Sequence, residues 1–279
     1  MTREIVSSFN ASDSPEPLPS ESVITTLGDV FLVIKDPRTG FNVRYQCSRA
    51  KLRSNSEYFN VLLDPIKFSE GIAVEAKMQE LIKQYANCLT IPASKLPAVA
   101  VSDVCRLPKA AYQFASTVIG LFLRILHDLT TPWPKSRLHP INIVALLAIL
   151  ADRLQAIRPI RGYLRSQKVE TTLLRDRRTC TAHQLEIDNR QRLVAGIIFG
   201  FPTWVRECSA ALILAGSKRQ VTTNLEHGTD EEADEDALWW RLPNGVEGMY
   251  MLILTYSYSD KAVAFYSNIL NKATALLGL

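Results

Sequence analysis

At 279 residues, with 47% hydrophobic and 22% charged side chains, the chain has the composition of a globular protein of one large domain or two ordinary ones. Its net charge of +4 is mild for this length and does not form the dense basic stripe usual in nucleic-acid-binding domains. The longest apolar run, INIVALLAILA at 141 to 151, is well short of the roughly 20 residues that span a bilayer, so no membrane-spanning helix is expected.

Residues 1 to 20 are rich in Ser and Pro, lack the basic start and continuous apolar core of a secretory signal, and read as a disordered leader. Order is expected from about residue 23. In GDVFLVIKDPRTGFNV, residues 28 to 43, Val30, Leu32 and Ile34 alternate with Phe31 and Val33, predicting a strand covered on both faces. Pro37 and Gly40 suit a hairpin loop over 35 to 40, and residues 41 to 47 alternate as the returning strand.

The pattern then becomes helical. Ser54 and Glu57 have capping-box spacing, with Ser56 as a competing N-cap, for a short helix over 56 to 63 that Pro65 stops. Ile72, Val74, Met78, Leu81 and Ile82 predict an additional amphipathic helix over 72 to 87. Residues 96 to 107 are extended in character. Residues 110 to 128 return to helix, with an apolar stripe of Phe114, Val118, Leu121, Phe122, Ile125 and Leu126.

Three prolines make 129 to 140 a loop. From Asn142, Ile143, Leu147, Leu150 and Leu154 mark one buried helical face, and Pro159 predicts the first position of a short crossing helix over 160 to 166. A polar connector follows over 167 to 182. Helices are expected over 185 to 199 and 203 to 215, parted by Gly200, Phe201 and Pro202. Seven acidic residues between 226 and 236 predict a solvated loop, and the chain reads as helical again after Pro243.

Neither a GxGxxG nor a GxxxxGK[ST] phosphate loop occurs, and there is no GxSxG elbow. The four histidines, His127, His139, His183 and His227, form no HExxH motif. Cys180 and His183 are a half-site without a suitably spaced second pair, so no metal and no cofactor is expected. Five cysteines (Cys47, Cys88, Cys105, Cys180, Cys208) without a CxxC pair fit reduced thiols of a cytoplasmic or nuclear protein. A nucleophilic role for Cys88, Cys105 or Cys208 would require an imidazole close in space, whereas Cys47, Cys105 and Cys208 stand in apolar contexts that suit burial.

Asp29 stands at the N-terminal end of its strand, whereas open α/β sheets bind ligands at carboxyl ends. It reads as a hydrogen-bonding cap. No catalytic residue is assigned and the chain is not read as an enzyme. Between 153 and 178, Arg153, Arg158, Arg161, Arg165, Lys168, Arg175, Arg177 and Arg178 face only Glu170 and Asp176. Without interleaved aromatics this is a solvated helix face, with the acidic 226 to 236 loop as an intrachain counterpart. The alternative is a nuclear transcription or chromatin regulator contacting DNA through this stretch.

Several pieces occur in a telling order: GDVFL at 28 to 32, FNV at 41 to 43, Leu52, SEYFNVLL at 56 to 63 and FSE at 68 to 70. LRILH at 123 to 127 and NIVALLAILADRLQ at 142 to 155 follow. Together they resemble the BTB/POZ domain, whose pattern runs G-D-V-x-L, F-x-V, S-x-Y-F-x-x-L-L, F-x-E, L-L-x-x-L-H and N-x-x-x-L-L-x-x-A-D-x-L-Q. The resemblance covers about residues 21 to 167. It departs from the family at Ser48-Arg49, where a histidine or similar residue commonly precedes the basic one, and in the extra helix at 72 to 87.

The resemblance implies an α+β fold, a small mixed sheet flanked by helical hairpins, followed by an all-α C-terminal region over 168 to 279. That region looks like the tail of filamentous-fungal BTB proteins. The implied role is protein–protein association without catalysis, as a substrate adaptor for a cullin-type ubiquitin ligase or a scaffold in regulatory complexes. Expected partners are a cullin or another BTB protein, with no membrane and no nucleic acid. The swapped N-terminal strand and first helix of BTB homodimers are not evident before Gly28. The interaction surface is expected to draw on Tyr58, Phe59, Leu62, Phe68, Leu123, Leu126, Leu150 and Leu154.

Overall fold

The structure, a computed structural model, describes residues 20–36, 41–85, 91–101, 115–129, 131–134, 139–173 and 182–215. It is a mixed α+β fold with one small sheet and mostly helices. The strands β1 (Ser20–Val23), β2 (Val30–Asp36), β3 (Phe41–Cys47) and β4 (Ala98–Ala100) lie in the spatial order β1-β3-β2-β4. The β2–β3 hairpin is antiparallel, with Val30 opposite Cys47 and Ile34 opposite Val43, while β1 runs parallel to β3 and β4 parallel to β2. Val30, Phe31, Leu32 and Ile34 are all buried, so β2 is covered on both faces, as its double alternation requires. Edge strand β1 was not expected: four residues, SESV, are too few and too polar to show a period.

Two short helices follow, α1 (Arg49–Asn55) and α2 (Glu57–Leu62). Of the two competing caps, Ser56 prevails. Its Oγ accepts from the Phe59 N–H at 3.2 Å and donates to the Leu154 carbonyl at 2.6 Å. Ser54 instead donates to the Lys51 carbonyl within α1. Helix α1 escaped the sequence reading because Leu52 is its one buried residue, and a lone apolar position sets no helical period.

Helix α3 (Ser69–Tyr85) buries Gly71, Val74, Met78 and Leu81, a face at helical spacing. Ile72 and Ile82, expected on that face, are exposed. Helix α4 (Ala115–Leu126) carries the expected stripe from Val118 to Leu126. Helix α5 (Pro140–Arg153) differs from its expected single buried face. Ile141 and every residue from Ile143 to Ala151 are buried, because α4, α6 (Ile157–Ser166) and α8 (Ala182–Phe199) pack around it. Helix α6 starts at Ile157, three residues before the expected 160, and Pro159 falls within its first turn, where the backbone N–H has no intrahelical acceptor in any case.

The polar connector over 167 to 182 contains a short helix, α7 (Val169–Thr172), which buries Val169. Helices α8 and α9 (Pro202–Ala215) form a hairpin turned by Gly200, at φ 64°, and Pro202 at the first helical position. Ala195, Phe199, Phe201 and Trp204 join the same core as the sheet. Trp204 Nε1 donates to the Glu170 carbonyl and Arg192 Nη2 to the Leu173 carbonyl, both at 3.0 Å, so the hairpin grips α7 by its free carbonyls. The leader up to residue 19, the 37–40 turn, Phe114, Cys88, Cys105, Cys180, His227, the acidic 226 to 236 stretch and the helix expected after Pro243 lie outside the described residues.

Candidate interaction surface

Of the eight residues expected to form an interaction surface, five are core. Phe59, Leu123, Leu126, Leu150 and Leu154 are all 1% exposed or less, so they hold the fold together and offer nothing to a partner. Helical spacing of large apolar residues marks what a helix buries against its own chain, which is why these positions misled. Tyr58 and Leu62 are half-buried and pack on the core from one face of α2, and Phe68 is exposed.

Around Phe68 the structure displays a surface that the spacing did not reveal. Ile66, Phe68 and Ile72 stand out of the α2–α3 corner with relative exposures of 84%, 45% and 48%. The backbone beneath them is tied. Asp64 Oδ1 accepts from the Ile66 N–H at 2.9 Å, closing an Asx turn, and Asp64 Oδ2 lies 3.8 Å from Arg53 Nη2 on α1. Gly71 sits directly against the Asp64 backbone, where any side chain would collide with the Asp64 carbonyl. The Ile72 N–H donates to the Phe68 carbonyl at 2.9 Å, opening α3. Three apolar side chains are thus held in water by a fixed corner, and their exposure is not slack.

The platform behind this corner is an ion-pair and hydrogen-bond chain. Asp29 Oδ1 accepts from the Arg49 backbone N–H at 2.6 Å, and the Arg49 guanidinium reaches Glu75 Oε2 on α3 at 2.6 Å. Gln79 donates to the other Glu75 oxygen, and this bond, together with Arg49, holds the Glu75 carboxyl below its usual range. On the far side of α1, the Ser48 N–H donates to His127 Nε2 at 2.8 Å, Asn55 Nδ2 donates to the Leu126 carbonyl at 2.7 Å, and Lys51 pairs with Asp128 at 2.7 Å. Strand β2, helix α1, helix α3 and the end of α4 are thereby joined around the corner.

The other candidates separate clearly. Cys47 and Cys208 are fully buried, and burial followed by the nearby Asp29 pushes the Cys47 thiol far up, the opposite of an activated thiolate. Arg158 and Arg165 are exposed on α6 and Arg161 is half-buried, while Ile160 and Leu164 face the core. Among the described residues no group of three or more His, Cys, Asp or Glu is placed to hold a metal ion. Among the same residues no helix is long and apolar enough to cross a membrane. No protein-family model matches the chain, and no curated protein matches it.

Proposed function

We propose that the chain is a non-enzymatic protein–protein interaction module of the BTB/POZ type, serving as a substrate adaptor for a cullin-type ubiquitin ligase or as a scaffold in regulatory complexes. The observation that carries this reading is the tied α2–α3 corner presenting Ile66, Phe68 and Ile72 to solvent. An apolar patch on a rigid support suits docking, because little conformational freedom is lost on binding. The order of motifs resembling the BTB/POZ domain supports the same reading. So does Asp29, whose carboxylate is engaged by the first turn of α1 and the Arg49 side chain.

The test is direct binding of purified recombinant cullin scaffold to the full chain and to an Ile66→Asp/Phe68→Asp variant. Binding by the first and loss of at least tenfold in affinity by the second, with an unchanged thermal midpoint, is the expected result. Absence of cullin binding removes the adaptor role, and equal binding by both proteins moves the docking surface away from this corner. A second reading, DNA contact, has one observation in its favour: the exposed arginines of α6. Retention on DNA that is absent, or that does not fall steeply with salt, excludes it.

A further inference from the structure

Helix α6 carries charges of one sign on one side. Ile160 and Leu164 are fully buried, while Arg158 and Arg165 are exposed and Arg161 is half-buried. At 3.6 residues per turn, Arg158, Gly162 and Arg165 follow one line along the outer surface, with Arg161 beside it. Lys168, exposed just past the helix end, adds a fourth cation. Its carbonyl accepts the hydroxyls of Thr171 at 3.1 Å and Thr172 at 2.9 Å, which ties the backbone there.

No carboxylate of the described residues answers this row. Residues 153 to 169 hold five Lys and Arg and no Asp or Glu. Among the described residues, none of Arg158, Arg161, Arg165 and Lys168 makes an ion pair. Arg161 stands three residues from Arg158 and four from Arg165, the two spacings at which like charges on a helix repel. Arg158 also lies in the first turn, where a cation opposes the helix dipole and where α6 has neither an acidic residue nor a side-chain cap. The row thus weakens the helix that carries it, and an anion seated on it would relieve that repulsion.

Gly162 opens the row into a notch: nothing lies within 4 Å of a Cβ built there, so a group lying between Arg158 and Arg165 meets bare backbone. The two arginines are about 10 Å apart along the axis. In an extended polyproline II segment, side chains three residues apart share a side and stand about 9 Å apart, so acids at that spacing reach both. A guanidinium takes a carboxylate through two parallel bonds. A DNA duplex fits less well, because phosphate-driven binding draws on about 6–10 contacts, more than this row supplies. So does a membrane, since the apolar side that would enter lipid, Ile160 and Leu164, is already buried in the fold. We propose that the outer row of α6 docks an extended acidic segment of a partner protein, with carboxylates three residues apart seated on Arg158 and Arg165 across Gly162. This surface shares no residue with the corner of Ile66, Phe68 and Ile72, so either can fail alone.

Fluorescence anisotropy on the full chain tests this, with a labelled peptide carrying glutamate at every third position between serines and alanines. Arg158→Gln/Arg165→Gln should weaken binding by about tenfold or more, and Gly162→Glu, which sets a carboxylate in the notch, should do the same. All three positions are exposed, so the thermal midpoint should not fall. Lys83→Gln/Lys95→Gln removes the same charge from exposed positions elsewhere and should leave the affinity unchanged. Equal losses in the two double variants overturn the proposal, because net charge alone then attracts the peptide. Tighter binding of a short DNA duplex, or of phosphatidylserine vesicles, than of the peptide at the same salt overturns it too. So does peptide binding that is absent, or that appears only after the seven acids between 226 and 236 are replaced by amides, which would assign the row to the chain itself.

Discussion

Asp29 and Arg49 meet twice: the carboxylate accepts the Arg49 backbone N–H at 2.6 Å through Oδ1, and its Oδ2 lies 3.6 Å from the Arg49 side-chain Nε. The residue at the head of β2 thereby caps α1, whose own N-cap, Ser48, makes no side-chain cap bond. A carboxylate at this position satisfies an orphan N–H of the first helical turn. Asp29→Ala should cost about 1–2 kcal/mol, the usual worth of a lost cap, and Asp29→Asn less, because an amide oxygen still accepts. Urea unfolding of the two variants checks the order, and an Asn variant as damaged as the Ala variant would shift the weight from the cap to the ion pair.

His127 makes stability depend on pH. Its Nε2 accepts from the Ser48 N–H at 2.8 Å, so the ring is neutral with its proton on Nδ1, which donates to the Leu123 carbonyl at 2.7 Å. Burial, reinforced by Lys51, holds the imidazole below its ordinary 6.5, against the opposing influence of the Leu123 carbonyl, Asp128 and Asp29. With the folded value depressed, the unfolded chain takes up the proton first. The contribution is therefore complete above about pH 6.5 and is lost as pH falls below it toward the folded value. The stability difference between the wild type and His127→Gln should shrink between pH 8 and pH 5, and parallel pH profiles would refute the assignment.

Two glycines should respond with opposite signs. A Cβ on Gly71 would strike the Asp64 carbonyl and lie 2.9 Å from the Asp64 nitrogen, and backbone on that side cannot swing away. Gly71→Ala should destabilise by about 3 kcal/mol. Gly162 sits exposed within α6 with nothing within 4 Å of an added Cβ, so Gly162→Ala should stabilise by about 0.5–1 kcal/mol through helix propensity. Thermal melts of both variants test the pair.

Trp204 is fully buried and its Nε1 holds the Glu170 carbonyl at 3.0 Å. Trp204→Phe keeps an aromatic ring against Phe201 but leaves that carbonyl without its donor, at a cost of about 1–3 kcal/mol. Amide exchange in α8 and α9 should rise with it. Loss confined to α9 would mean that the α7 contact does not anchor the hairpin.

The β2–β3 hairpin, α3, α4, α5 and the α8–α9 hairpin were legible because each repeats its apolar residues at a period of two or near 3.6 over several turns or pleats. Helix α1, with Leu52 alone buried, and β1, with four residues, lie below the length at which a period exists. The candidate surface was less legible for a related reason. Periodicity finds the residues that face inward, so Leu123, Leu126, Leu150 and Leu154 stood out while Ile66 did not. Only Phe68 bridged the two, through its place in the F-x-E stretch.

From the order of its residues alone, this chain determined the β2–β3 hairpin and the longer helices, that Ser56 would compete to cap α2, and that Asp29 would serve structure. Those are local matters of dihedral preference, capping chemistry and apolar period. The tertiary structure decided that α5 is enclosed all round, that Ile66, Phe68 and Ile72 stay in water, and that Arg192 goes without enough partners. Burial depends on which elements arrive from far along the chain, and no local pattern records that.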